Sequence, residues 1–568
     1  MRRLVRLAAA VAHLGPRRAL LNVAHRSYRR FRRLERYSFG RESDLTLSTT
    51  RIAFLHHAGG CSFQDGRFTA VGRTFAVGDP PDWHPPAPLL WLFNLHYFAY
   101  LPFLAPLHRA ALVRDWIARC PPRTGSPAWM PYTLSLRLRN WTKSLLETEA
   151  WPPSDLDRAL ASIAAQADCL ADTIEVHLGG NHLLENGLTL CFLAECFSGR
   201  QVERWRKIGG KILDTEFSEQ FLSDGGHFER SPMYHGILLH GLLDLFAVLR
   251  SGPLRETLSA RLPSLLAYAR QLRHPDGGIA LFNDSAIEIA PSPEDLLAYA
   301  DLLGLSPSDE RRTFPETGYH VWSDSRDAFL LDAGPIGPDY VPAHAHGDIF
   351  SFELSRDGER LVVDGGTSTY EEGPEREWVR STRAHNTVEL DGQDQCEFFG
   401  AFRVGRRGRP RDVRVELTPE GLHAAGWHDA YRRLPGRPRH EREICFLRPA
   451  VLLVWDTVHS AREHEAVSRI RFAPGVTVSV DGPVEATVVA GDRKLTFRAF
   501  GGELSKEQGF YAPRFGQRLP CEVIALQRGR TPEFGYALAD RDVPLSIGPD
   551  GATVGEHTVP RWPRTLQR

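Results

Sequence analysis

The chain has 568 residues, of which 42% are hydrophobic and 24% charged, and its formal net charge is −1. This composition excludes wholesale disorder and a membrane-embedded helical bundle, and the near-neutral charge argues against a dedicated nucleic-acid-binding protein. The length exceeds what one compact core normally holds, so we expect two or three domains. The eight cysteines include no CxxC pair, and we expect most of them to be buried thiols.

Residues 1–45 form a basic N-terminal segment. Its first apolar run is interrupted by Arg6 and ended by Gly15-Pro16, a pattern that does not favour a cleaved signal peptide. A basic amphipathic helix that lies on a membrane surface or on a partner fits comparably well. We expect a periplasmic or cell-envelope location, with the cytoplasm as the alternative.

The first half of the chain is predicted to be helical, because apolar residues recur there at i, i+3 and i+4. Short polar or Gly/Pro links separate the segments, so consecutive helices are expected to pack antiparallel, as pairs in a ring or solenoid. The predicted helical segments are 105–120, 133–149, 155–176, 181–198, 200–222, 232–250, 255–273 and 293–303.

From about Thr317 the pattern changes to short alternating or apolar runs separated by turn residues. Asp357-Gly358 and Asp391-Gly392 are hairpin signals. We therefore predict a helical domain over 46–315 and an antiparallel β domain over 316–568, most simply a sandwich, with the boundary near 310–325.

Two polar clusters lie in the helical half. In GGNHLLENG (179–187), the glycines break a helix, Asn181 is a natural N-cap, and His182 and Glu185 share one helix face. In DGGHFERSPMYHG (224–236), Tyr234 and His235 enter the first turn of a helix, near unpaired N–H groups. Taken alone, each pattern is also typical of an ordinary polar helix start.

A third cluster is VPAHAHGDIFSFEL (341–354), which we interpret as a β-strand. Side chains in a strand alternate between its faces, so His344, His346 and Asp348 would project together. A solvated edge strand would explain such a pattern without any chemistry.

The fourth cluster spans 362–392. Asp364 lies at a strand end and His385 begins another strand, with an arginine-rich loop between them (Arg376, Arg380 and Arg383). Asp and His are legitimate zinc ligands, but their spacing matches no short zinc-finger signature. A solvated, charge-rich loop is the alternative.

Together the four clusters resemble the heparinase II/III-like polysaccharide lyases. Asn-His-x-x-Glu-Asn, Glu-x-Ser-x-x-Tyr-His, His-x-His-x-Asp and Arg-Ser-Thr-x-x-His-Asn-Thr-Val occur in the order seen in that family. WLFNLHYFAYL (91–101) and PYTLSLRLRNW (131–141) are similar as well, so the resemblance covers about residues 80–550. The basic start, ending in RSYRRFRRLERY, resembles bacterial members associated with extracellular polysaccharide, which implies contact with a membrane or with polysaccharide-assembly machinery.

The resemblance implies an α+β multidomain fold, an incomplete (α/α) toroid followed by an antiparallel β-sandwich, with the active cleft between them. It also implies β-elimination at a uronic acid within an acidic polysaccharide. In this chemistry the substrate carboxylate is neutralised, a base removes the C5 proton, and an acid protonates the leaving O4.

By similarity, Asn181 and His182 would neutralise the carboxylate, and Tyr234 and His344 would be acid and base, in an order that stays open. Substrate-binding roles are implied for Glu185, His235, Arg380 and Arg383. His235 and the arginine loop would also supply the positive charge that a phenol of pKa ~10 needs to act as a base.

By the same similarity, His346, Asp364 and His385 would hold a structural zinc in the β domain. His344 would then point to the cleft while His346 joins the metal site, so the strand is expected to twist or bulge. Asp348 is expected to be structural.

Two alternatives keep the fold but change the function. In the first, the protein is an accessory of polysaccharide assembly that binds or edits a nascent polysaccharide chain. In the second, it is a glycoside hydrolase, which needs two opposed carboxylates. Glu185 and Glu229 are the candidates for such a pair. Few lysines and a near-neutral charge favour a carboxylated bacterial exopolysaccharide over a highly sulfated polymer.

Overall fold

The computed structural model describes residues 34–37, 43–47, 52–147, 151–308, 312–448 and 451–562, together with four single positions before residue 21. The basic segment predicted for residues 1–45 lies largely outside the described residues, and its membrane or partner contact stays a prediction. Within the described ranges, no helix combines the length and the apolar character that crossing a bilayer requires.

The first half of the chain is helical, as predicted. Eight of its helices, α2 to α9, correspond in order to the predicted segments, with ends that differ by at most three residues. Most begin at a proline, which has no N–H to leave unpaired in the first turn. The described helices are α1 (Leu89–Tyr97), α2 (Pro106–Arg119), α3 (Pro131–Glu147), α4 (Pro153–Thr173), α5 (Gly180–Cys196), α6 (Val202–Gln220), α7 (Pro232–Val248), α8 (Pro253–Gln271), α9 (Pro293–Leu302) and α10 (Pro374–Arg380).

Helix α5 lies at the centre of the helical half and packs against α3, α6 and α7. Its contact with α6 depends on two glycines. A Cβ atom on Gly187 would lie 2.6 Å from Ile212 Cγ2, and one on Gly209 would lie 2.8 Å from the Gly187 carbonyl oxygen. The two helices therefore approach closer than side chains at these positions would allow.

The second half consists mainly of strands, also as predicted, and the change from helix to strand falls between Leu302 and Thr313. The strands in the described ranges are β1 (Thr46–Leu47), β2 (Ser62–Gln64), β3 (Arg67–Ala70), β4 (Arg73–Ala76), β5 (Phe197–Ser198), β6 (Thr313–Phe314), β7 (Tyr319–Ser323), β8 (Ala328–Asp332), β9 (Phe352–Arg356), β10 (Glu359–Val362), β11 (Val388–Leu390), β12 (Phe398–Phe399), β13 (Arg403–Val404), β14 (Pro410–Thr418), β15 (Gly421–His428), β16 (Arg439–Leu447), β17 (Val451–His459), β18 (Ala466–Arg471), β19 (Thr477–Val480), β20 (Glu485–Ala490), β21 (Arg493–Phe500), β22 (Gly502–Tyr511), β23 (Leu519–Arg528), β24 (Glu533–Asp540), β25 (Leu545–Gly548), β26 (Gly551–Val554) and β27 (His557–Pro560).

Three sheets form the body of this half, with strand orders β10-β9-β8-β7-β6, β11-β18-β23-β22 and β14-β15-β16-β17-β24-β21-β20-β19. Their ladders are antiparallel. Phe446 of β16 stacks on Phe329 of β8, with ring centroids 5.2 Å apart, and lies 5.2 Å from Trp322 of β7. The five- and eight-stranded sheets therefore pack face to face, as in a sandwich.

The strand predicted over 341–354 is wrong for most of its length, because regular pairing begins only at Phe352. The preceding residues form turns: the Ser351 N–H donates to the Asp348 carbonyl at 2.8 Å, and Phe350 has a left-handed φ of 62°. Strand alternation therefore does not determine where His344 and His346 point.

The close contact between α5 and α6 generates a test with a matched control one residue away. Gly209→Ala should lower the midpoint of thermal unfolding, because the added methyl overpacks the contact at a cost of about 1–3 kcal/mol. Gly210→Ala meets no atom within 4 Å and should leave the midpoint unchanged or raise it, since alanine is the better helix former by up to about 1 kcal/mol. Equal midpoints for the two variants would contradict the packing described.

Candidate active site

The start of helix α5 is formed around a carboxylate from another segment. Gly179 and Gly180 have left-handed φ values of 65° and 56°, and a Cβ atom on Gly180 would lie 2.2 Å from Glu229 Oε1. Glu229 accepts hydrogen bonds from the Asn181 backbone N–H at 3.0 Å and from Asn181 Nδ2 at 2.8 Å. Asn181 therefore lies within the first turn and does not cap it; the N-cap is Gly179.

Tyr234 lies in the first turn of α7, which Ser231 caps by accepting the Tyr234 N–H at 3.1 Å. Its ring lies on His344, with centroids 3.9 Å apart, and its hydroxyl is 3.3 Å from the hydroxyl of Tyr370. Burial raises the pKa of Tyr234 well above its usual value, with the neighbouring Tyr370 adding to the effect. The phenol therefore keeps its proton at neutral pH.

The carboxylate of Asp284 holds both histidines of the 341–354 segment. Its Oδ2 is 3.0 Å from His344 Nδ1, and its Oδ1 is 2.9 Å from His346 Nε2. The guanidinium of Arg376 binds both oxygens, with Nη2 at 2.7 Å from Oδ2. Burial alone would raise the pKa of Asp284, but the Arg376 charge and the histidine hydrogen bonds hold it well below its usual value.

These contacts bring three distant segments together. His344 Nε2 lies 3.4 Å from Asn181 Nδ2 and 3.6 Å from Glu229 Oε2. Asn181, Tyr234 and His344, which similarity predicts to be catalytic, are thus neighbours at the junction of the helical half and the sandwich.

His182 is the fourth residue predicted to be catalytic, and it follows Asn181 on α5. Its side chain is the most accessible of the four, with 39% exposed. Its ring packs on Tyr132, with centroids 4.4 Å apart, and its Nδ1 lies 3.3 Å from Glu175. Burial lowers the pKa of His182, but the Glu175 charge and hydrogen bond outweigh it, and the pKa is raised. His182 therefore carries a positive charge more readily than an ordinary histidine does.

A possible metal-binding group lies behind His344. The candidate ligand atoms of His346, Asp348 and His385 all lie within 4.8 Å of one another, and all three side chains are buried. Asp284 accepts from His346 Nε2, and Asp364 accepts from His385 Nδ1 at 2.8 Å. The remaining ring nitrogens, His346 Nδ1 and His385 Nε2, are buried without a hydrogen-bond partner in the described part of the chain.

This arrangement fits a metal ion such as zinc. A carboxylate on one ring nitrogen keeps the proton there and leaves the lone pair on the other, which is the usual orientation of histidine ligands. The group differs from the predicted set in one member. Asp348, which we expected to be structural, belongs to it, whereas Asp364 contacts the opposite nitrogen of His385.

Two predicted substrate contacts are buried in other roles. Glu185 is fully buried and forms an ion pair with Arg139 at 2.8 Å, so it faces the helical core. His235 has its Nε2 3.0 Å from the Leu265 carbonyl oxygen, and burial lowers its pKa to about 4. It is therefore neutral and does not supply the positive charge expected beside Tyr234.

The predicted arginine contacts also differ from what the structure shows. Arg380 is buried and binds backbone carbonyls, including that of Ala345 at 3.1 Å, and burial lowers its pKa to about 9. It braces the histidine segment from behind. Arg383 is exposed, and no contact in the described ranges joins its side chain to the cluster. The arginine that reaches the site is Arg376.

Sequence reasoning missed the residues that organise the site. Asp284 lies in the link between α8 and α9, within the short polar run Asn283-Asp284-Ser285, which was the available signal. Tyr370 lies in a loop, and Glu229 was noted only as a possible hydrolase carboxylate. Their roles depend on contacts between segments far apart in sequence.

The fold is that of solved structures of the heparinase III type. A solved structure of heparinase III has a TM-score of 0.70 at 17% identity, and the match covers 85% of this chain and 86% of the heparinase III chain. A heparan sulfate lyase from Pedobacter heparinus has a TM-score of 0.62 at 18% identity, over 89% and 88% of the two chains. The predicted toroid followed by a sandwich is thereby confirmed.

Two sequence models match in series: the heparinase II/III N-terminus over residues 108–303 and the heparinase II/III-like C-terminal domain over 306–539. The chain belongs to the heparinase II/III-like family, as the motifs predicted. Heparin-sulfate lyases are among its relatives, from Pedobacter heparinus (26% identity over 58% of this chain and 52% of the relative) and Bacteroides stercoris (25% over 69% and 61%). The chain thus spans about half to three fifths of the length of these relatives.

The Asp284–Arg376 pair provides a stability test. Asp284→Asn leaves a buried guanidinium without its counter-charge, which costs about 3–5 kcal/mol and should lower the midpoint of urea unfolding. The control is Glu485→Gln, which removes an ion pair to Arg498 between two side chains that are each more than 40% exposed. That pair is worth at most about 1 kcal/mol. A midpoint for Asp284→Asn as close to wild type as the control would contradict the central role of this carboxylate.

Proposed function

We propose that the protein is a polysaccharide lyase that cleaves a uronate-containing chain by β-elimination. The observation that supports the proposal is the close contact among Asn181, Tyr234 and His344. A ring nitrogen of His344, which can accept a proton, lies beside the phenol of Tyr234, which can donate one. Elimination needs a base and an acid close to one sugar ring, and these two groups meet that requirement.

His344 suits the role of base. Asp284 can only accept a hydrogen bond, so the proton of the neutral His344 ring is on Nδ1 and the lone pair is on Nε2. Nε2 lies near Asn181 Nδ2, which can donate to it. The base that takes the C5 proton is then His344, whose orientation the Asp284–Arg376 pair maintains.

Tyr234 suits the role of acid. Its raised pKa keeps the phenol protonated, and the structure brings no cation into direct contact with its hydroxyl among the described residues. It can therefore donate a proton to O4 as the glycosidic bond breaks, and His344 can return a proton to it through solvent after product release.

The substrate carboxylate requires neutralisation before C5 becomes acidic enough. His182, with its raised pKa and its exposed edge, supplies positive charge for this purpose. The amide nitrogen of Asn181 has two N–H groups. One donates to Glu229 at 2.8 Å, and the other makes the longer contact with His344, at 3.4 Å. The second N–H can donate to a bound carboxylate.

Uronates are the substrate class supported by the relatives that are named heparin-sulfate lyases. We propose a carboxylated exopolysaccharide as the particular substrate, because Arg380 is buried against backbone carbonyls and His235 is neutral, so neither contributes to the cationic surface that dense sulfation would require. A periplasmic or cell-envelope location is proposed with it, on the basis of the basic N-terminal segment.

The glycoside hydrolase alternative is not favoured by the geometry. It requires two carboxylates that face each other across the substrate, and Glu185 is buried against Arg139. The assembly-accessory alternative predicts binding without an unsaturated product.

The proposal is tested by ultraviolet absorbance of the unsaturated uronate, with a panel of uronate polymers. Wild type should produce the absorbance, and Tyr234→Phe should lower kcat by about 100-fold or more, in the range that a general acid contributes. The control is Tyr536→Phe in β24, which removes a buried phenol hydroxyl from the sandwich and should leave the rate unchanged. A rate that survives Tyr234→Phe would exclude this acid, and binding without absorbance would support the accessory role.

We also propose that the metal is zinc, held by His346, Asp348 and His385, with Asp364 orienting His385. Zinc there would brace the loop that carries His344. The protein purified without chelator should contain about one zinc per chain by elemental analysis, and His385→Ala should remove it.

Variants of Asp348 and Asp364 show which of the two carboxylates binds the metal and which one only orients His385. Asp348→Asn should weaken zinc binding more than Asp364→Asn, because loss of an orienting partner typically costs about 10–100-fold in affinity while loss of a ligand costs more. Competition with a chromogenic chelator measures both. The reverse order would restore the set predicted from the sequence, with Asp364 as the ligand.

A further inference from the structure

A pocket extends from Tyr234 into the helical half, between α1, α3 and α7. On α7 it is lined by Tyr234, Ile237, His240 and Asp244, which lie on one face of the helix. Ten residues of helix span about 15 Å, so the pocket reaches well below the reacting groups. Neither the predicted site residues nor the proposed mechanism accounts for it.

The pocket is closed at its deep end. The Leu55 carbonyl oxygen accepts hydrogen bonds from Lys143 Nζ at 2.8 Å and from His240 Nε2 at 3.0 Å. Lys143 is also paired with Asp244 at 3.0 Å, and both side chains are buried. A polysaccharide chain therefore cannot continue past this point.

The pocket has the size of one ring. Its volume is about 150 Å³, and a cavity of about that volume in another protein holds a single benzene molecule. One sugar unit is the largest carbohydrate that such a space accommodates, while the rest of the chain must lie outside.

The walls suit an uncharged sugar. Tyr97 and Tyr132 present aromatic rings, which favour the apolar faces of pyranoses. The charged lining groups are already neutralised, Arg139 by Glu185 and Asp244 by Lys143. Burial lowers the pKa of His240 to about 3, so it is neutral as well.

The opposite side of the reacting groups is open. Phe402 is 41% exposed, and its ring lies 5.2 Å from Tyr370 and 6.3 Å from His344. An exposed aromatic ring beside the reacting groups offers a surface on which a further sugar can stack. The site thus has one closed side and one open side.

We propose that this pocket is a subsite for the terminal, unsulfated sugar of the chain, and that the enzyme cuts at a chain end. The remaining chain leaves across Phe402, and the scissile bond lies at the pocket mouth, between Tyr234 and His344. The pocket sugar leaves with O4 and the Tyr234 proton, while the uronate that loses its C5 proton to His344 stays at the end of the remaining chain and carries the double bond. This inference rests on the proposed elimination and adds to it the position of the cut.

The test compares product sizes early in the reaction by size-exclusion chromatography with both refractive-index and ultraviolet detection. Wild type should release a single saturated sugar, seen by refractive index, while the ultraviolet absorbance stays with the polymer, which keeps nearly its full length. Ile237→Trp, which fills the pocket and keeps both proton-transfer side chains, should lower kcat/KM by about 100-fold, the loss expected when the substrate is displaced from its reactive position. Ile208→Trp is the control, since Ile208 is a half-buried isoleucine on α6 that does not line the pocket.

The outcomes separate this inference from the proposed function. Ultraviolet absorbance with a rapid fall in mean chain length would show internal cutting, which overturns the inference and leaves the lyase proposal intact. Small products combined with full activity of Ile237→Trp would also overturn it, because the pocket would then not hold the substrate. No unsaturated product from any uronate polymer would overturn the lyase proposal and this inference with it. The wild-type product sizes decide the question even if Ile237→Trp does not fold.

Discussion

The candidate active site depends on one buried carboxylate, that of Asp284. It lies in the link between α8 and α9, yet its contacts extend to the sandwich half through Arg376, His344 and His346. Both of its oxygens are occupied, each by one histidine and one guanidinium nitrogen. Because a carboxylate only accepts hydrogen bonds, it determines which nitrogen of each ring carries the proton. The two lone pairs then serve different purposes, one at the cleft and one at the candidate metal group.

This arrangement carries a large desolvation penalty, since Asp284 and Arg376 are both almost wholly removed from water. Buried ion pairs often stabilise a fold no better than apolar residues would. The Asp284–Arg376 pair instead serves to orient the carboxylate, because a guanidinium that binds both of its oxygens also fixes the plane of the carboxylate group. Two histidines on an irregular segment thereby acquire defined positions that no strand or helix provides for them.

Much of the fold followed from the sequence, because helical periodicity and strand alternation are local signals. Helices α2 to α9 were predicted with small errors at their ends for this reason. The histidine segment was misinterpreted as a strand because alternation alone does not reveal turns such as the one at Phe350. The motifs located Asn181, Tyr234 and His344, but Asp284 and Arg376 act through contacts between distant segments, and Glu185, His235 and Arg380 turned out to face the interior. Residue type and spacing do not distinguish a side chain that faces a cleft from one that faces a core.

The contact between Gly180 and Glu229 has a mechanical consequence. Glu229 precedes α7 and holds the start of α5, so the helices that carry Asn181 and Tyr234 are joined at their first turns. One carboxylate therefore ties together the two segments from which Asn181 and Tyr234 project. If the cleft widens to admit the proposed substrate, the loop that carries His344 is the side left to move, and its movement would be opposed by the ion pair between Asp284 and Arg376. A movement of that loop to admit substrate would then also displace His344, the proposed base.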